Sequence, residues 1–310
     1  MYLACPMLIN DGHPFHSRDA DKHFSSLRGF HEAHRTGLLR WIAYSLSIDA
    51  SVPDTRAVRA EAARLVIPEH AVASDDYAAF VHGASTRPPA RRHELRPMYL
   101  VQHSRYRSRE TYAIVRQSTN IPPEDIMEID GLLLTTPVRT TSDLLRLDFR
   151  PHALAAGDAM ARAKLVTMEQ VSGFVAELHR LPGLAQAQQL SLLIDPRAES
   201  PGESWQRCRI LDAGFPRPEL QLPVMDSYGI ERRLDMAYEE VLAASEYDGR
   251  EFHTADSDVS KDIHRRDDLS RRGGWRFNLG TWERIFGTSP EFEYELGAYL
   301  KMTPLPRWWW

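Results

Sequence analysis

Three carboxylates stand where strands could bring them to one task. Asp235 lies within Arg233-Leu234-Asp235-Met236-Ala237, and Glu246 and Asp248 lie within Ala244-Ser245-Glu246-Tyr247-Asp248-Gly249. Residues 219–224, 231–238 and 241–247 read as three strands of a meander, the first two joined at Asp226-Ser227-Tyr228-Gly229. A two-residue turn at Glu239-Glu240 sets Tyr238 opposite Val241, Asp235 opposite Ala244 and Glu246 opposite Arg233. Asp235 and Glu246 are then diagonal neighbours on one face, about 7–8 Å apart at Cα. Asp248 joins that face by alternation. Like charges so placed repel unless a cation lies between them. Carboxylate oxygens with open water positions suit Mg2+ or Mn2+, which activates water and stabilises a phosphoryl transition state. Asp235 and Glu246 are the expected ligands.

Glu203 has two readings that the sequence leaves open. Ser200-Pro201-Gly202-Glu203 is a capping box, with Ser200 as N-cap, Pro201 at the first helical position and Glu203 at the third. A glutamate on a helix beside the sheet could equally complete a metal site. His253, five residues past Asp248, falls at the strand end, where it could hold a metal or take a proton from attacking water. On the following charged helix, residues 260–272, Lys261, Arg265 and Arg266 are candidate phosphate contacts; a salt-bridged, solvated helix is the other reading. Residues 275–279 read as a fourth strand, behind Gly273-Gly274.

The rest of the chain supplies elements that could present these groups to DNA. Residues 1–54 hold two short helical patterns and an apolar run read as a hairpin, the size and order of a winged helix-turn-helix. Arg28, His31 and Arg35 share one face of the second helix, either a major-groove surface or an ordinary solvated face. Residues 55–195 read as a mostly helical middle domain. Within it, 87–109 carries seven arginines against one glutamate, with Tyr99 and Tyr106 interleaved. Arg91, Arg92, Arg105 and Arg107 there suit a phosphate backbone. Residues 195–202, with two prolines, read as a linker, and 200–303 as the third domain.

Composition sets the outer limits. The 310 residues include 38 basic and 43 acidic side chains, a formal charge of −5, which excludes a histone-like polycation but not local basic patches. Only Cys5 and Cys208 occur, so neither a disulfide scaffold nor a cysteine-built zinc module is available, and a cytoplasmic location is expected. No apolar run is long enough to span a bilayer, so no membrane partner is expected.

The residues from Asp195 to Ser204, Arg233-Leu234-Asp235, Glu246-Tyr247-Asp248-Gly249, His253 and the Arg265 to Trp275 stretch together resemble an actinobacterial family. Its C-terminal domain is similar to the very-short-patch-repair endonuclease of the PD-(D/E)XK superfamily. The resemblance implies Asp235 as the motif aspartate, Glu246 as the glutamate of the E-x-K element, Glu203 as the helix glutamate and His253 as the branch-specific histidine. Asp248 stands where the superfamily has lysine, which implies a histidine-assisted or two-metal route. The front part is similar to AbiE-type antitoxins of type IV toxin–antitoxin systems. Pro14 to Ala20 and Gly37-Leu38-Leu39-Arg40 match the winged-helix pattern, and 71–83 with 135–144 match the middle domain. Ala43-Tyr44-Ser45 replaces the usual Arg-Arg-Gly of the wing, and Trp308-Trp309-Trp310 fits no motif.

The expected fold is therefore α+β: winged helix-turn-helix, helical middle domain, and a restriction-endonuclease-like mixed sheet flanked by helices. The expected function is a protein that binds double-stranded DNA and hydrolyses its phosphodiesters with Mg2+ or Mn2+. The alternative is a transcriptional repressor or antitoxin that binds DNA without cutting it. A cognate toxin is an expected partner.

Overall fold

The computed structural model describes residues 8–43, 45–84, 86, 98–103, 113–118, 121–248 and 256–307. Among the described residues the fold is α+β, with three sheets and helices throughout, in two compact units: 8–84 with 98–143, and 86 with 144–307.

In the first unit, β1 (Phe15–His16), α1 (Leu27–Arg35), β2 (Leu39–Ala43) and β3 (Leu46–Asp49) come first, the strands pairing antiparallel in the order β1-β3-β2. Ser26 caps α1 through the Gly29 N–H. Phe30 and Ala33 on its inner face pack with Phe15 and Leu39. Then follow α2 (Arg56–Arg64), β4 (Val72–Ala73), α3 (Asp75–His82), β5 (Met98–His103), β6 (Ala113–Ser118), β7 (Ile126–Ile129), β8 (Leu132–Thr135) and α4 (Pro137–Leu147). The five strands form one mixed sheet in the order β6-β5-β4-β8-β7.

That sheet corrects the expectation of a helical middle domain. Its strands are two to six residues long, too short to show a period, and β4 pairs with β5 on one side and β8 on the other. Pairing at such separation leaves no local trace in the sequence. Only the β7–β8 hairpin announces itself, through Asp130 and Gly131, both at positive φ as its tight turn requires. Residue 54 is no packing boundary: Ile42, Leu46 and Ile48 share one core with Ala60, Tyr77 and Leu134. Beside this core, Arg139 joins the buried Asp125 and Asp143 at 2.7 and 2.8 Å.

The second unit continues with α5 (Arg150–Arg162), α6 (Met168–Glu177), α7 (Leu184–Ser191) and α8 (Pro201–Asp212). Next come β9 (Glu219–Met225), β10 (Glu231–Tyr238), β11 (Ala243–Asp248), α9 (Asp256–Gly273), β12 (Arg276–Thr281), α10 (Trp282–Phe286) and α11 (Glu291–Leu300). The mixed sheet runs β12-β11-β10-β9, antiparallel except that β12 lies parallel to β11. Thr167 and Gln170 form a reciprocal capping box on α6.

Helix α8 is the pivot of this unit. Arg207 sets one Nη 2.7 Å from each oxygen of Asp158 on α5 and the other on the Leu193 carbonyl. Arg209 meets Glu293 on α11, and Arg150 reaches Asp212 with both ends of its fork. The supposed linker at 195–202 is instead bound into this assembly. Asp195 N–H donates to Asp158 at 2.9 Å, Arg162 donates to the Ala198 carbonyl, and Ala198 is buried. Its prolines mislead because Pro201 begins α8, where a missing N–H costs nothing. Gly202 brings α8 onto the sheet, since a Cβ there would lie 2.2 Å from the Tyr247 ring.

This packing makes three substitutions informative about stability. Gly202→Ala should cost about 1–3 kcal/mol in chemical denaturation. Gly173→Ala, on the open side of α6 with nothing within 4 Å, should add about 0.5–1 kcal/mol and serves as the control. Asp158→Ala, which strands the buried Arg207 charge, should cost about 3–5 kcal/mol.

Candidate functional site

The C-terminal sheet brings together three of the carboxylates singled out from the sequence. The β10–β11 connection is a 3-10 turn at Glu239–Val241 closed by Leu242 at φ 48°, two residues longer than the expected turn. The ladder therefore pairs Met236 with Ser245 and Tyr238 with Ala243, two positions from the expected register. An even shift keeps the faces unchanged. The described pairing ends at Met236 and Ser245, one residue short of Asp235 and Glu246.

The strand around Asp235 is irregular. Asp235 and Gln221 drop out of the β9–β10 pairing, and Gln221 adopts φ 55°. Leu234 and Ala237 sit in one core while Met236 sits in the other, so alternation slips at Asp235. Its carboxylate accepts the Tyr247 N–H at 3.0 Å. Burial, then the neighbouring Glu203 and Glu246 carboxylates, push Asp235 up to about 8.

Glu203 performs the capping role, with one change of partner. Its own N–H donates to Ser200 Oγ at 3.1 Å, while its Oε2 accepts the Glu199 N–H at 2.9 Å and the Gln221 amide at 3.3 Å. Burial raises its pKa.

Glu246, 3% exposed, faces helix α9. Arg265 grips it bidentately, Nη1 to Oε1 and Nη2 to Oε2, each at 3.0 Å. Arg266 stands 3.7 Å from Glu246 and 3.8 Å from Asp248. These two arginines were expected to face phosphate; the structure turns them inward onto carboxylates. At about 4 Å and an effective dielectric near 20, one unit-charge pair interacts by about 4 kcal/mol, so a dication entering beside both arginines meets substantial repulsion. Among the described residues, no three His, Cys, Asp or Glu side chains are arranged to hold a metal ion. Among the described donors, Glu246 has both oxygens engaged by Arg265 and offers neither of them free to Mg2+ or Mn2+.

Other expected site residues are placed as follows. His253, Arg91, Arg92, Arg105 and Arg107 lie outside the described residues, and of Lys261 only its place in α9 is described. Arg28, His31 and Arg35 are exposed together on α1. Arg35 pairs with Glu32 at the helix surface, and His34 stacks on Trp41 with ring centroids 4.1 Å apart. The sequence reading missed the Arg265–Glu246 fork. The excess of cations on α9 was its signal, but nothing local indicates which way they turn.

Residues 71–195 match the family model of the AbiEi antitoxin C-terminal domain. Two uncharacterized proteins of Mycobacterium tuberculosis, MT2308 of strain CDC 1551 and Rv2248 of strain H37Rv, are each 33% identical over 148 residues. That alignment covers 48% of this chain and 55% of each relative, so the chain spans about half the length of the curated relatives it matches. Neither comparison points to a nuclease. No helix among the described residues is long and apolar enough to cross a membrane.

The raised pKa of Asp235 gives a pH signature. Its carboxyl ionises near 3.8 when exposed and near 8 in the fold, so the folded state holds the extra proton between those values. Stability from this group is full below the unfolded value and is lost as pH rises toward 8. Asp235→Asn should flatten that decline, gaining on the wild type more at pH 8 than at pH 5. Thermal melts across the range check it, and parallel pH profiles would refute it.

Proposed function

We propose that this chain is a DNA-binding regulator of the antitoxin type that does not cut DNA, the alternative function weighed from the sequence. The observation that carries it is the match of residues 71–195 to the AbiEi antitoxin domain. The internal pairing of Glu246 with Arg265 supports the same side of the choice, because a carboxylate held by a guanidinium fork is already neutralised. The endonuclease-like character of the C-terminal sheet rests on the sequence resemblance alone and carries no catalytic step here.

In this reading the N-terminal segment acts as a winged helix-turn-helix whose α1 enters the major groove. Arg28 and Arg35 supply its outward cations beside the exposed His31, and the inner face built on Phe30 and Ala33 fixes their direction. The Arg35–Glu32 pair is exposed, so a phosphate can displace Glu32. The arginines of 87–109 are the proposed second contact. A cognate toxin is the proposed protein partner and the cytoplasm the proposed location.

Fluorescence anisotropy with duplex DNA over a salt series tests this directly. The wild type should bind with a steep salt dependence. Arg28→Ala with Arg35→Ala should weaken binding and flatten the slope of log K against log salt by about 1.8, the value for two lost phosphate contacts. Absence of duplex affinity at low salt would overturn the DNA-binding reading. Nicking of a supercoiled plasmid with Mg2+ or Mn2+, lost in Asp235→Ala, would reinstate the nuclease.

A further inference from the structure

The carboxylates of β10 and β11 lie in largely buried surroundings, where an unmatched anion is costly. Something must balance them, and each partner can be named. Both oxygens of Glu246 are engaged by the two ends of the Arg265 guanidinium, each at 3.0 Å. The side chains of this pair are 4% and 19% exposed, so the contact is shielded from competing water and salt. Arg266 adds a second positive charge within 4 Å of Glu246 and of Asp248. Asp235 accepts the Tyr247 N–H, and Glu203 accepts the Glu199 N–H and the Gln221 amide. Arg265 is held in turn: its Nη1 also lies 3.4 Å from the Arg233 carbonyl, and Arg233 pairs with Glu199.

We infer that Arg265 and Arg266, rather than a divalent metal, are the cations this carboxyl cluster holds, and that their pairing latches helix α9 onto the sheet. A guanidinium fork matches the two oxygens of one carboxylate in a plane. A divalent ion of Mg2+ type needs several oxygens around it, with octahedral geometry. Glu246 serves the first requirement, and as long as Arg265 holds it, it cannot serve the second. The cluster is thus metal-indifferent by charge compensation. Removing the fork converts it into a site of net negative charge open to Mg2+ or Mn2+.

The test uses the full chain, with free Mn2+ followed by electron paramagnetic resonance and unfolding followed by circular dichroism. Wild-type protein should leave the free Mn2+ signal unchanged and melt at the same temperature with and without Mn2+. R265M should bind Mn2+ at least about tenfold more tightly than the wild type and gain a Mn2+-dependent rise in melting temperature. R265K, which keeps the charge, should stay metal-indifferent, and E246Q added to R265M should abolish the gained binding. Tight Mn2+ binding by the wild type, or a folded R265M that remains indifferent to Mn2+, would overturn the inference. If R265M fails to fold, R265Q takes its place in the same comparison, and the wild-type titration alone still refutes the idea if Mn2+ binds.

Discussion

The second unit depends on the charge pairing buried around helix α8. Arg207 and Arg209 are almost wholly inaccessible, and each is matched by a carboxylate from a different helix: Asp158 of α5 for one, Glu293 of α11 for the other. Such pairs do little for net stability against an apolar replacement, because desolvation offsets the attraction. What they contribute is specificity. Arg209 has every donor group answered, while Arg207 has its charge matched by Asp158 but keeps its Nε without a hydrogen bond, and the two pairs together hold α5 and α11 against α8. The carbonyls of Leu193, Ile285 and Ser289 complete those arrangements and bring the connecting segments into the same constraint.

The same principle at lower burial explains the carboxyl cluster. Asp235, Glu203 and Glu246 are drawn together by the meander and by Gly202, whose missing side chain lets α8 approach Tyr247. Three carboxyls in one place would be unfavourable as three anions. The structure relieves this in two ways: Arg265 and Arg266 neutralise Glu246 and its neighbour Asp248, and Asp235 holds its proton far above the usual carboxylate range. An arrangement that looks metal-binding in a string of letters is thus an arginine-compensated network in three dimensions.

Local chemistry was legible in the sequence. The Ser200 cap, the strands of the C-terminal meander, the fourth strand after α9 and the shared face of Arg28, His31 and Arg35 follow from spacings of one to four residues. The resemblance of the middle segment to AbiE-type antitoxins is repeated by the match to the antitoxin domain at residues 71–195. Tertiary structure decided everything that rests on distant partners. The five-stranded sheet was hidden because β4 has two residues and pairs across long separations. The segment 195–202 looked like a linker because prolines mark chain direction, whereas its burial depends on Asp158, thirty-seven residues before Asp195. Above all, the sequence shows which charges exist but not which ones meet. Arg265 lies nineteen residues beyond Glu246, and only the packing of α9 on β11 turns a prospective phosphate contact into the partner of a prospective metal ligand.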